Sequence, residues 1–486
     1  MKTPAPDAKP SRDVRTVEPE ELVYADDRVI GRAFRWSFAV LAILVVFGLG
    51  LWLALKPKSA PASVKMTTLL PPARPGSAVP GPVPPAKFTD ITRAAGVDFV
   101  HINGAYGDRL LPEAMGSGVA FADFDNDGNP DLLCVNSRYW PGDTRHSGTA
   151  QPTMALYRND GAGHFDNVTA GSGLNVSFYG MGVTAGDYDN DGLPDVFITG
   201  VGGGRLFHNL GAGKFQDVTA AAGVGGEPDD WSTAAVWFDY DNDGRLDLFV
   251  ANYVQWSKAI DLEVGYKLVG VGRAYGQPFN FAGTFPHLYH NEGQGRFKEV
   301  TAEAGLQVRN PATHLPMAKT LGAIAVDLDG DGWMDLVVAN DTVQNFVFHN
   351  ERNGRFKEIG ALTGIAYDST GMARGAMGID AARYREDDTL GIAIGNFANE
   401  MTALYVSQNN PLLFVDEAIT EGVGPASRLL LKFGLVFFDY DLDGRLDLLT
   451  ADGHIEAEIG KIQASQTYAQ PAQLFWNCGA AAGATF

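Results

Sequence analysis

The chain has 486 residues, 45% of them hydrophobic and 11% aromatic, which is enough apolar material for a large core and too much for a mainly disordered chain. Asp and Glu number 58 against 37 Lys and Arg, so the formal net charge of -21 argues against a phosphate-backbone binder, and nucleic acid is not an expected partner. Fifty-eight glycines call for many tight turns, and two cysteines supply no zinc or iron-sulfur framework.

Residues 1–35 form a short polar, charge-mixed tail. Trp36 to Leu55, WSFAVLAILVVFGLGLWLAL, is an uncharged run long enough to cross a bilayer core as a helix, and longer than the apolar part of a cleaved secretory signal. A single transmembrane helix over 36–55, acting as a signal anchor, is therefore expected. Arginines precede it and lysines follow it, so charge alone does not orient it. The short tail and the bulk that follows place the N-terminus inside and the rest outside the cytoplasm, periplasmic or extracellular. Residues 56–87 are rich in proline with Ser, Ala and Gly between, which reads as an extended stalk.

Beyond residue 115 one pattern recurs. FADFDNDGNPDL from Phe121, GDYDNDGLPDV from Gly186, FDYDNDGRLDL from Phe238, VDLDGDGWMDL from Val326 and FDYDLDGRLDL from Phe438 each carry Asp at positions 1, 3, 5 and 9 and Gly at 6. A sixth, degraded copy starts at Ile379 and keeps Asp380, which alone is expected to bind nothing. Each intact loop lies between a small-residue strand and an apolar strand such as DLFVAN. A hairpin follows, as in ALYRNDGAGHFDNVT or HLYHNEGQGRFKEVT. Four short strands per unit of about 60 residues is the content of one β-propeller blade. The fold class expected for residues 88–486 is thus all-β, a propeller of six to seven four-stranded blades; six units are counted. Shorter repeats would be needed for a solenoid, and linkers for separate β domains.

Four carboxylates within nine residues repel one another unless a cation joins them. Oxygen ligands at 1, 3, 5 and 9, the carbonyl of position 7 and the turn at Gly 6 suit Ca2+, as in the first part of an EF-hand loop; no helices flank the loops, and the bidentate Glu at position 12 is missing. The expected ligands are Asp123, Asp125, Asp127 and Asp131; Asp187, Asp189, Asp191 and Asp195; Asp239, Asp241, Asp243 and Asp247; Asp327, Asp329, Asp331 and Asp335; and Asp439, Asp441, Asp443 and Asp447. These twenty carboxylates nearly equal the charge excess of -21, and five bound Ca2+ would bring it to -11. At a free ion level roughly tenfold above the dissociation constant, each site adds about 1.4 kcal/mol and five add about 7, so the ions are expected to be structural.

The blade pattern resembles the FG-GAP or VCBS repeats of integrin α-subunit propellers and bacterial surface proteins. FTDITRAAGVDFVH from Phe88, LLPEAMGSGVAFADFDNDG from Leu110 and the DVTAAAGV-type ends look like the cartilage acidic protein family, whose members often end in an ASPIC/UnbV domain. The resemblance implies a calcium-binding, secreted or membrane-tethered adhesion or recognition propeller with a protein or glycan ligand and no catalytic role. QLFWNCGAAAGATF looks like the start of a hairpin signature, so a fragment or a shortened member without that domain is expected, with FTDITRAAG available to complete the last blade.

Three other features are weighed. An insertion from Tyr253 to Phe285, rich in aromatics, either forms a ligand platform or packs on its own blade. His208, His290 and His349 recur before Asn in three hairpins, which fits structural hydrogen bonding. Cys134 and Cys478 are not expected to form a disulfide. No GxSxG, HExxH or P-loop occurs, so the chain is not expected to be an enzyme; the alternative is a propeller enzyme acting on polysaccharide.

Overall fold

The computed structural model describes residues 85–387, 389–479 and 484–486. The tail (1–35), the transmembrane span (36–55) and all but the last three stalk residues lie outside the described residues, among which no helix is long and apolar enough to cross a membrane.

Six antiparallel sheets follow one another along the chain. Blade 1 holds β1 (Val119–Ala122), β2 (Asp131–Cys134), β3 (Ala155–Asn159) and β4 (Phe165–Asn167). Blade 2 holds β5 (Tyr179–Gly186), β6 (Asp195–Val201), β7 (Arg205–Asn209) and β8 (Phe215–Asp217). Blade 3 has β9 (Ser232–Phe238) and β10 (Asp247–Asn252), then the insertion with its small ribbon of β11 (Lys267–Leu268) and β12 (Gly272–Arg273), then β13 (His287–Gly293) and β14 (Arg296–Glu299). Blade 4 runs through β15 (Thr320–Val326), β16 (Asp335–Asn340), β17 (Phe346–Asn350) and β18 (Phe356–Glu358). Blade 5 runs through β19 (Ala376–Ala382), β20 (Gly391–Asn396), β21 (Ala403–Ser407) and β22 (Phe414–Asp416). Blade 6 pairs three strands, β23 (Lys432–Phe438), β24 (Asp447–Asp452) and β25 (Gln473–Phe475). The protein is a six-bladed β-propeller.

Strand chemistry follows position in the blade. Second strands are covered on both faces by neighbouring blades, so β10, β16 and β20 are buried at every residue and their sequences are apolar without alternation. First strands crowd together at the axis and need small residues. A Cβ on Gly322 would lie 2.4 Å from the Met377 carbonyl oxygen of the next blade, and one on Gly378 would lie 2.4 Å from that of Phe433.

Five hydrophobic clusters join consecutive blades. Leu133, Leu156, Val196 and Phe207 link blades 1 and 2, and Phe197, Leu206, Leu248 and Tyr289 link 2 and 3. Phe249, Leu288, Leu336 and Phe348 link 3 and 4; Val337, Val347, Ile392 and Tyr405 link 4 and 5; Ala393, Leu404, Phe437 and Leu448 link 5 and 6.

Two expectations are corrected, and one open alternative is decided. The degraded loop of blade 5 does not start at Asp380, which lies within β19 and accepts the Phe437 backbone N–H at 2.8 Å. Ala382 pairs with Gly391 as Phe238 pairs with Asp247, so the loop runs from Arg383, and positions 3 and 9 are Arg385 and Gly391. The Arg385 guanidinium bonds Glu417 and Glu421, putting a fixed cation at the third loop position. Nor does FTDITRAAG complete blade 6, because Thr485 and Phe486 occupy that outer position: the Cys478 N–H donates to the Thr485 carbonyl at 2.9 Å. The insertion aromatics do not make an open platform: Tyr253, Trp256 and Phe281 are buried against Trp231 and Trp140. Phe279 is the exception, 65% exposed. Both cysteines are free, as expected.

Candidate metal loops and face cleft

All five aspartate loops join a first strand to a second strand, so they share one end of the propeller. Position 4 turns through a left-handed conformation, with φ of 63° at Asn126, 60° at Asn190, 58° at Asn242, 75° at Gly330 and 58° at Leu442. Asn and Gly tolerate this backbone, whereas leucine pays steric strain. Leu442 is 87% exposed, so packing offers no return for that strain. Leu442→Gly is expected to stabilise the protein by about 1 kcal/mol in denaturant unfolding.

Within each loop the first aspartate ties the turn together. Asp123 accepts the N–H groups of Asp127 at 3.0 Å and Gly128 at 2.8 Å, and Asp187, Asp239, Asp327 and Asp439 repeat the arrangement. The fifth position accepts from the seventh, as Asp127 does from the Asn129 N–H at 2.9 Å and Asp443 from Arg445 at 2.9 Å. The third position points inward. Asp125, Asp241 and Asp329 each hold a buried carboxylate oxygen with no hydrogen-bond partner, whereas Asp331 at a fifth position is ion-paired to Arg352.

The ninth position is buried in every intact copy: Asp131, Asp195, Asp247, Asp335 and Asp447. Each accepts the backbone N–H of position 2 and that of the hairpin asparagine. For Asp335 the donors are Leu328 at 3.1 Å and Asn350 at 2.7 Å. His208, His290 and His349 contact Asp195, Asp247 and Asp335 through Nδ1 at 3.0, 3.1 and 3.0 Å, the structural role expected of them.

Carboxylate oxygens of Asp123, Asp125 and Asp127, of Asp187, Asp189 and Asp195, and of Asp239, Asp241 and Asp243 come within 4.8 Å of one another. Asp191 joins Asp189 and His208 in a further group, and Asp247 joins Asp241 and His290. Burial, followed by neighbouring carboxylates, raises the Asp125, Asp189 and Asp241 pKa values, and burial pushes Asp195 to about 6. Buried carboxylate oxygens without donors, converging within each loop, fit a hard divalent cation.

The hairpin asparagines were not singled out from the sequence, yet they staple the blades. The Asn209 side-chain amide donates to the Phe124 carbonyl at 2.9 Å, Asn291 to Tyr188 at 2.8 Å, Asn350 to Tyr240 at 2.7 Å and Asn477 to Tyr384 at 2.8 Å, each reaching back one blade. Their recurrence toward the end of the third strand was the available signal. Blade 5 loses the whole arrangement together, with Gly391, Val406 and Ser407 in place of Asp, His and Asn.

At the other end, residues following the second strands and preceding the first strands enclose a cleft of ≈ 180 Å³. Leu111, Tyr275, Phe279 and Phe397 give it apolar walls, and Asp341 and Glu400 bring carboxyl groups. The Tyr253 hydroxyl contacts Asp341 at 2.6 Å, and Glu400 accepts the Gly375 N–H at 2.8 Å. Burial raises Glu400 and pushes Asp341 to about 7; beside the cleft, burial also pushes Glu113 to about 7. From about pH 4 to 7 the folded protein holds a proton on Asp341 that the unfolded chain releases, so stability falls as pH rises. Asp341→Asn removes this loss. In the Ca2+-loaded protein it should narrow the stability difference between pH 5 and pH 8 by about 2 to 3 kcal/mol, measured by urea unfolding.

A family model described as an FG-GAP-like repeat matches residues 142–198, 187–250 and 327–394, so the chain carries FG-GAP-like repeats. No curated protein matches it. Solved structures similar to it include an Agrocybe aegerita lectin that recognises non-reducing terminal N-acetylglucosamine, with 15% identity over 74% of this chain and 80% of that one and a TM-score of 0.39. A luciferin-regenerating enzyme has 10% identity over 74% and 91%, with a TM-score of 0.37. The periplasmic gluconolactonase PpgL of Pseudomonas aeruginosa has 14% identity over 60% and 67%, with a TM-score of 0.33. Enzymes and a lectin stand side by side here, and nothing among them decides activity.

Proposed function

We propose that this propeller of FG-GAP-like repeats is a membrane-anchored recognition module held outside the cytoplasm, stiffened by Ca2+ at one end and binding a protein or glycan ligand at the other. Ca2+ would be held by the aspartates at positions 1, 3, 5 and 9 of five loops, where it supplies charge compensation. The observation that carries the binding reading is the face cleft: apolar and aromatic walls with a few convergent polar groups are what a ligand site needs. Phe279, exposed at its mouth, is the anchor expected to meet the ligand. Screening the full chain in detergent against glycan and peptide panels should yield a binder whose affinity Phe279→Ala lowers roughly tenfold; undiminished binding by that variant removes the cleft as the site. Anchoring and topology rest on the apolar run 36–55. Protease added to intact cells or spheroplasts should digest the propeller, and survival until lysis would refute that placement.

A second reading has one observation in its favour, Asp341, which burial pushes to about 7, lying with Glu400 in the same cleft, a pairing suited to acid–base work on a polysaccharide. Turnover on a polysaccharide panel that Asp341→Asn abolishes would favour it over recognition alone.

A further inference from the structure

Resting on the recognition reading of the face cleft, we propose that its ligand presents a protonated primary amine on an apolar stem, with the ammonium held between the carboxyl groups of Asp341 and Glu400.

Asp341 and Glu400 are the charged residues that enclose the cleft, and no Lys, Arg or His lines it with them. Most of the remaining wall is apolar or aromatic, including Tyr275, Phe279 and Phe397. An anion would meet two carboxyl groups there, whereas a cation meets carboxyls and rings together. The cleft volume of ≈ 180 Å³ is close to the roughly 150 Å³ of an apolar cavity that holds one benzene, so it takes one group of side-chain size rather than a run of sugars.

The two carboxyls come from loops that follow the second strands of neighbouring blades, β16 and β20. Gly375 keeps the space between them open: a Cβ on it would lie 3.2 Å from Asp341 Oδ1 and 3.6 Å from Glu400 Oε2. Both oxygens thus border one spot. Asp341 is 7% exposed, and its Oδ2 takes the Tyr253 hydroxyl at 2.6 Å. Among the described residues its Oδ1 has no hydrogen-bond donor and its carboxyl no ion pair. The cations nearby are engaged elsewhere. The Lys319 ammonium donates to the Pro278 carbonyl at 2.8 Å, and that of Lys432 to the carbonyls of Glu400, Ser427 and Leu430 at 2.7, 3.0 and 2.8 Å. Arg374 pairs with Asp368 and stands 3.8 Å from Glu400, and Arg109 pairs with Glu456. Thr342, next to Asp341, is held at a φ of 62°, a costly backbone for a β-branched residue and one that persists where function fixes it. With Asp341 buried and Phe279 exposed at the mouth, a stem of several methylenes is what carries a charge from outside to the carboxyls.

Titrating the full chain in detergent with n-butylamine and with uncharged n-butanol tests this. A capped tripeptide of leucine, lysine and leucine, against its norleucine counterpart, asks the same of a lysine carried by a protein. At pH 8 the amine of at least one pair is expected to bind about tenfold more tightly than its uncharged partner. Asp341→Asn and, separately, Glu400→Gln should each cut that preference about fivefold. In the unsubstituted protein the preference should grow about tenfold from pH 6 to pH 8, because the amine stays protonated while Asp341, which burial pushes to about 7, loses its proton. Tyr253, Lys319 and Glu400 face that carboxyl, and Lys432, which burial brings down to about 8, lies beside Glu400, so disappearance of the pH rise in Asp341→Asn is what assigns it. A preference confined to butylamine supports the proposal with a small amine as ligand; one confined to the peptide supports it with a protein lysine. Equal affinity within both pairs, no binding by any of the four, or a preference that survives both substitutions overturns the amine assignment. The cleft would still stand as a ligand site if a panel binder lost affinity in Phe279→Ala, so the two failures are told apart.

Discussion

Chelating Ca2+ from the folded protein is expected to lower its melting temperature by about 8 °C. Five sites at a free ion level tenfold above their dissociation constants contribute about 7 kcal/mol. An unfolding entropy of about 2.1 cal/mol/K per residue over roughly 400 residues converts that to the stated shift. The orphaned oxygens of Asp125, Asp241 and Asp329 are where a bound cation would relieve repulsion. Differential scanning calorimetry with and without chelator, followed by re-addition of Ca2+ and separately of Mg2+, measures it. Mg2+ demands stricter octahedral geometry and should restore less. A melt indifferent to chelator would sink the metal reading of all five loops at once.

Asp335→Ala is expected to cost about 3 to 5 kcal/mol, more than loss of an exposed aspartate of the same loop. The carboxylate is buried and accepts from two backbone N–H groups and from His349, so alanine strands three donors and removes a proposed cation ligand together. Asp327→Ala, at the exposed end of the same loop, should cost less because water reaches the freed N–H groups of Asp331 and Gly332. Urea unfolding of the two variants in Ca2+ separates the cases; equal losses would show that burial at position 9 is not what matters. Blade 5 shows the same logic in the natural chain. Gly391 replaces the aspartate where Val406 and Ser407 replace its partners, and the Ser407 N–H turns to the Leu390 carbonyl at 2.9 Å.

Much of this was legible in the sequence because period-two strands, turn glycines and a fixed Asp spacing are local signals. Six units, their strand content and the convergence of the aspartates all follow from such spacing. The start of the fifth loop was misplaced because Asp380 mimics the motif in sequence, while register, set by pairing Ala382 with Gly391, is a property of two strands at once. The asparagine staples stayed hidden because their acceptors lie a whole blade away, as with Asn350 and Tyr240. The cleft carboxyls were missed for a related reason: Asp341 and Glu400 carry no motif, and only burial makes their acidity unusual. FTDITRAAG was assigned to the last blade, since sequence cannot show that Thr485 and Phe486 already take that outer position.

The backward direction of the asparagine staples bears on the order in which the molecule can assemble. Asn209, Asn291, Asn350 and Asn477 each donate to a carbonyl already synthesised, never to one still to come. A blade emerging from a ribosome or a translocation pore thus finds its partner waiting, and can satisfy its buried groups without the rest of the chain. Each staple forms only once a further whole blade has emerged, because donor and acceptor lie 85 to 110 residues apart, which favours stepwise assembly from the N-terminal blade onward.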